Sequence, residues 1–180
     1  MQEDLLNIFK EEISEQARKE GRQYSLPIVI YLSVIAILMG AKNPIEIAQW
    51  MNANAKRKEI KKLLGVEFFK APKKSRLYEF YEIVDKAELE SAFRRWIGGF
   101  VKLQSKDMVA VDGKVIRGSG TKDKSAVGIL SALLSESKLI IAHEEIASKS
   151  NEIPALQKLI GELDESFVYG FDALNTQKKL

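Results

Sequence analysis

The sequence has no cysteine and a single histidine. The first absence excludes disulfides and thiolate zinc sites and fits an ordinary cytoplasmic chain. The second leaves His143 alone inside a β-type segment, where the expected role is a half-buried structural one rather than metal ligation. Long apolar runs are missing too. The longest, Leu26 to Met39, spans 14 residues and contains Pro27 and Ser33. A membrane span needs roughly 20 residues, so this run reads as a buried helix and no membrane partner is expected. Met1-Gln2-Glu3-Asp4 is acidic where a signal peptide would be basic. There is no internal repeat and no low-complexity tract.

What is present is a core and a charge asymmetry. At 180 residues and 46% hydrophobic content, the chain has material for one large domain or two small ones. Its net charge of +3 hides a basic block. Lys56, Arg57, Lys58, Lys61, Lys62, Lys70, Lys73, Lys74 and Arg76 face only Glu59 and Glu67, so nine cations against two anions give residues 56–76 a charge of +7 and leave the rest at −4. Such a block is the footprint of a phosphate-backbone contact, although a solvated helix face gives the same pattern.

The first hundred residues have helical spacing. Leu5, Leu6, Ile8, Phe9, Ile13 and Ala17 mark a helix over Met1 to Lys19, with Gly21 as its stop. Ser25 is placed to cap the buried helix and Gly40 to end it. Asn43-Pro44 opens a third helix with Trp50 on its apolar stripe, and Ala55 to Leu64 forms a fourth, ended by Gly65. Ser75 and then Asp85 are placed to cap two more, the last carrying Trp96 and ending near Gly98-Gly99. Beyond Asp107 the period changes. Segments 108–112, 126–134 and 138–147 read as strands, a helix follows from about Glu152 to Leu163 with Pro154 in its first turn, and a fourth strand ends at Asp172. The order predicts an antiparallel meander and a crossover that returns parallel to a strand of the same sheet. The expected fold class is α+β, with a helical domain over 1–103 and a mixed-sheet α/β domain over 104–180.

Two of these strands end on aspartates. Met108 to Asp112 and Phe167 to Asp172 are apolar until the carboxylate, and a carboxylate there needs hydrogen bonds, a cation or a metal to offset its desolvation. Asp112-Gly113 is also a hairpin-turn pair, and Asp172 is also a plausible helix N-cap. If residues 152–163 form the crossover, the fourth strand can lie beside the first and both carboxylates converge at one edge. Oxygen-only ligation of that kind suits Mg²⁺ or Mn²⁺ in phosphoryl transfer.

Three blocks carry a family resemblance. Asp112-Gly113-Lys114-Val115-Ile116-Arg117-Gly118-Ser119, Lys149-Ser150-Asn151-Glu152-Ile153-Pro154-Ala155, and Asp172-Ala173-Leu174-Asn175-Thr176-Gln177 resemble, in order, three signatures of H-repeat-associated insertion-sequence (ISAs-type) transposases. The helical half resembles the domain that precedes the catalytic one in that group. The resemblance implies a ribonuclease-H-like catalytic domain with an Asp-Asp-Glu triad and divalent metal, with Asp112 as first acid and Asp172 as second. The third acid, a glutamate on a later helix, has no position here, and Glu152 belongs to the middle block and not to that role. The expectation is a transposase truncated before its third acid, inactive alone as an enzyme. It further implies that Lys114, Arg117 and Lys149 hold DNA phosphates near the metals. Lys73, Lys74 and Arg76 would then dock the DNA ends, with helix spacing that permits a helix-turn-helix-like reader. The alternative is a regulatory fragment that binds DNA or a full-length transposase, or forms homo-oligomers, without cutting.

Overall fold

The computed structural model describes residues 4–15, 25–65, 71–100, 106–121, 125–146, 152–163 and 166–171. The chain divides into two compact units, Met1–Trp96 and Ile97–Leu180. Helices lead and strands follow, a mixed α/β arrangement with seven helices and one four-stranded sheet among the described residues. None of the described helices is long and apolar enough to cross a membrane.

The first unit is helical: α1 (Leu5–Glu12), α2 (Leu26–Leu38), α3 (Pro44–Asn54), α4 (Lys58–Leu64), α5 (Lys74–Ile83) and α6 (Lys86–Gly98), whose last two residues fall in the second unit. Its core gathers Leu6, Ile8, Phe9, Val29, Leu32, Met51, Leu64 and Leu77, all nearly inaccessible to solvent. Helix α2 is apolar on every side and sits at the centre of that core, as a helix without a polar face must. The helix ends follow local chemistry. Asn43 Oδ1 accepts from the Ile45 and Glu46 amides at 3.1 and 3.0 Å, and the Glu46 carboxylate accepts from the Lys42 amide in return. Asp85 Oδ1 accepts from the Ala87 and Glu88 amides in the same way. Gly40, at φ +100°, closes α2 with bonds from the Gly40 amide to the Ile37 carbonyl and from the Ala41 amide to the Ala36 carbonyl.

Four sequence readings of this unit need correction. Helix α1 stops at Glu12 instead of running to Lys19, because Ile13 turns extended and Ser14 is held by the Glu88 carboxylate through both its amide and its hydroxyl. Ser25 stands at the N-cap of α2 but donates to Glu15 Oε1 and makes no cap bond. Ala55 is the C-cap of α3, and α4 starts only at Lys58. Ser75 lies inside α5, which begins one residue earlier with Lys73 at its N-cap. Buried Ala71 and Pro72 set that entry.

The second unit holds β1 (Met108–Val115), β2 (Gly128–Leu134), β3 (Leu139–Ile146), α7 (Glu152–Glu162) and β4 (Val168–Phe171), with sheet order β3-β2-β1-β4. β1, β2 and β3 pair antiparallel in sequence. After the α7 crossover β4 returns beside β1 and parallel to it, as the crossover length predicts. One sheet face packs under α7: Val109, Val111, Leu130, Ala132, Leu134 and Ile146 meet Ala155, Leu156 and Leu159. A bulge at Ala132/Leu133 lets the consecutive residues Ile141 and Ala142 both bury. Glu144 shares the covered side and is bridged by Lys158 Nζ of α7 at 2.8 Å.

Candidate functional site

Alternation along β1 places Met108, Ala110, Asp112 and Lys114 on the sheet face opposite α7. The register carries that face across the sheet. Asp112 pairs with Ser131, and Ser131 with His143, so the three residues form one row over three strands. Ile129 and Glu145 continue the row of Lys114, while Leu133 and Ile140 continue that of Ala110. Within this unit, among the described residues, no helix packs on this face.

Asp112 is therefore neither a strand end nor a hairpin turn. β1 runs on through Gly113, opposite Leu130, to Val115. Cross-strand pairing with a seven-residue β2 overrides the local turn preference of Asp-Gly. The carboxylate is exposed, so it carries no burial cost, and no hydrogen bond or ion pair engages it among the described residues. A hard cation needs such an oxygen donor, open on one side and uncommitted. Asp172 and Lys149 lie outside the described residues. No cluster of three or more acidic or histidine side chains able to hold a metal occurs among the described residues, which supply one carboxylate of the expected pair.

The chain beyond β1 shows what the Arg117-Gly118-Ser119 triplet does. The Ser119 amide and hydroxyl both donate to the Ile116 carbonyl, and the Val127 amide donates to Ser119 Oγ at 2.8 Å. Gly118 takes φ +78°, which a side chain would strain. The Ile116 amide donates to the Val127 carbonyl across the loop. Gly120 approaches Ala126 so closely that an added Cβ would lie 3.1 Å from its backbone nitrogen. This stapled turn fixes the backbone that presents Arg117 to solvent. Lys114, Arg117, Ser131 and His143 line one open depression of about 620 Å³. Sequence reasoning named the two cations. It missed Ser131 and took His143 for a half-buried structural residue, whereas His143 is exposed. The alternation of β2 and β3 was the available signal, but it assigns faces only once register is known.

The other expected DNA contacts lie on the helical unit. Lys73, Lys74 and Arg76 are exposed at the start of α5. Lysines at a helix N-terminus oppose the helix dipole, so local stability gives no reason for them. Arg76 is partly committed: its guanidinium lies 4.9 Å from the Phe80 ring centroid and pairs with Glu79. Of the connection between α4 and α5, residues 66–70 lie outside the described residues, and α3 and α4 are separated by residues 55–57.

Comparison with known proteins agrees with this organisation. Residues 8–97 match the family described as DDE_Tnp_1-associated. A protein of Escherichia coli O157:H7 named "Putative transposase YncI" is 28% identical over 91% of the chain, which covers 42% of that relative. Its namesake from strain K12 is 26% identical over 93% of the chain and 68% of the relative. The K12 protein named "H repeat-associated putative transposase YbfD" is 25% identical over 88% and 62%. The chain thus spans about two fifths to two thirds of the length of these relatives. No solved structure matches it significantly. With half its length matched to the family and its curated relatives named for transposition, the chain belongs to the DDE_Tnp_1-associated family, in the H-repeat group of DDE transposases.

Proposed function

We propose that these 180 residues combine the DNA-docking region of an H-repeat transposase with the first two metal-holding acids of a ribonuclease-H-like catalytic domain. The substrate class is DNA, at the ends of an insertion element. Lys73, Lys74 and Arg76 contact its backbone from the helical unit, and Lys114, Arg117 and Lys149 hold phosphates near the acids. Asp112 and Asp172 would hold Mg²⁺ or Mn²⁺, which supplies activation of the attacking oxygen and stabilisation of the leaving one in phosphodiester cleavage.

One observation carries this reading. In the parallel β1–β4 pair, Val111 is the partner of Phe171, the residue that precedes Asp172 in sequence. Asp112 follows Val111 directly. An aspartate thus follows each member of this pair in sequence, which supports assigning both carboxylates to one site. The exposure of Asp112, which has no hydrogen-bond or ion-pair partner among the described residues, and the order of the sheet support the same assignment.

The test is a band shift and a nicking assay on element-end DNA, with and without divalent metal. The chain is expected to shift element-end DNA in a salt-dependent way. Neutralising Lys73, Lys74 and Arg76 together should weaken duplex binding and lower the salt slope by roughly three contacts' worth. Duplex affinity that is independent of salt and of these cations would overturn the DNA-docking assignment. Nicking abolished by Asp172→Ala would show that two acids suffice.

A further inference from the structure

The depression beside Asp112 has chemistry that phosphate contacts alone do not use. Lys114 and Arg117 supply two exposed cations on β1 and its stapled turn. Ile116 and Ile129 add apolar lining, Ser131 adds a hydroxyl, and the exposed His143 adds an aromatic ring. Its volume, about 620 Å³, lies within the roughly 300–1,000 Å³ of ligand sites. No carboxylate lines it, although Asp112 and Glu145 flank it in register, opposite Ser131 and Ile129. Cations beside a flat ring and apolar surface are the pattern of single-strand nucleic-acid sites, where backbone charge meets the cations and a base lies on the ring. A duplex keeps its bases stacked inside and cannot use the ring or the apolar lining. An isolated phosphate needs neither.

We infer that this depression seats an unpaired nucleotide of DNA next to Asp112, its phosphate on Lys114 and Arg117 and its base against His143 and Ile129. The seat rests on the DNA reading above and shares Lys114 and Arg117 with it, but adds the strand state and the residues Ser131, His143 and Ile129. Duplex DNA docks on Lys73, Lys74 and Arg76 of the helical unit, and an unpaired strand docks on the sheet. Ser131 and His143 then act as specificity residues for strand state.

The experiment is fluorescence anisotropy of the whole chain with an oligo-dT probe and, separately, a blunt duplex, with circular dichroism of each variant to confirm folding. His143→Ala should weaken oligo-dT binding about tenfold, the size of one lost base stack, and leave duplex binding within twofold. His143→Phe, which keeps a ring and removes the nitrogens, should stay within twofold of the parent on oligo-dT. Lys114→Ala with Arg117→Ala should lower the salt slope for oligo-dT by about 1.4, two single-strand phosphate contacts. Unchanged oligo-dT binding in the folded His143→Ala and double variants overturns the seat, whatever the duplex does. Equal losses in His143→Ala and His143→Phe also overturn it, since the contact would then be ionic or hydrogen-bonding. Loss of duplex binding on neutralising Lys73, Lys74 and Arg76, with oligo-dT binding insensitive to His143, rejects the seat and leaves the docking assignment standing. A parent chain that binds neither probe rejects both.

Discussion

The helical unit and the sheet unit bury themselves differently. In the first, all six helices give residues to one core around an all-apolar α2, and polar side chains tie its outer helices. Arg95 bridges Glu11 and Glu12 at 2.8 and 2.9 Å, linking α6 to α1, and Ser33 shares a 2.8 Å hydrogen bond with Tyr81 between α2 and α5. In the second, one face of the sheet lies under α7 while the other carries Asp112, Lys114, Ser131 and His143 among partly exposed apolar residues. A core needs its faces covered, whereas a site for a bulky charged ligand needs one left open. Among the described residues, the α7 side of the sheet is a core face, and the side of Asp112, Lys114, Ser131 and His143 carries no helix of its own unit.

The sharpest way to break that contrast is to put a charge on each face. Leu130→Asp, on the covered face, should unfold the sheet unit, a loss of more than about 4 kcal/mol. Leu133→Asp, on the open face of the same strand, should cost less than about 1 kcal/mol. Urea melts followed by circular dichroism distinguish them, and equal costs would show that both faces are buried. Next in size is Phe9→Ala, which should cost about 3–5 kcal/mol, since Phe9 is fully buried and edge-packed on Phe93. Both tryptophans, Trp50 and Trp96, belong to the helical unit, so their fluorescence reports on that unit. A smaller effect is expected at Asn43. Asn43→Ala removes a cap that accepts two amides and should cost about 1 kcal/mol in the same fluorescence transition.

The smallest effect is in pH. Burial raises the Tyr31 and Tyr81 phenols above their ordinary value near 10; the charge of Asp4 adds to the first, and the Ser33 hydrogen bond partly offsets the second. The folded state holds those protons more tightly than the unfolded chain does. The resulting stability is complete below pH 10 and is lost as pH rises through the elevated folded values. Tryptophan-monitored melts should therefore weaken above pH 10, and Tyr81→Phe should flatten that dependence. An unchanged profile would mean that Tyr81 contributes nothing to it.

Much of the scaffold was legible because it rests on local rules. Asn43, Asp85, Gly40 and Gly65 mark helix ends by hydrogen bonding and left-handed backbone, and crossover length fixes the return of β4 beside β1. What misled was decided at long range. α1 is cut short by Glu88, 74 residues distant from the Ser14 it holds. Asp-Gly at 112–113 reads as a turn until β2 pairs along it. His143 looks structural until register places it in a row with Asp112. Of the site, Lys114 and Arg117 were visible as charged residues in a motif, while the role of Gly118 and Ser119 as a staple required the bond from Val127 to be seen.

In the proposed site, Asp112 and Asp172 hold one metal ion. The direct measurement loads the intact chain with Fe²⁺ in place of Mg²⁺, adds ascorbate and peroxide, and maps where the backbone is cut. The account predicts cuts clustered at residues near 112 and near 172, suppressed by excess Mg²⁺ and absent in Asp112→Asn. Cuts at one aspartate without the other, or a pattern indifferent to Asp112→Asn, would contradict it.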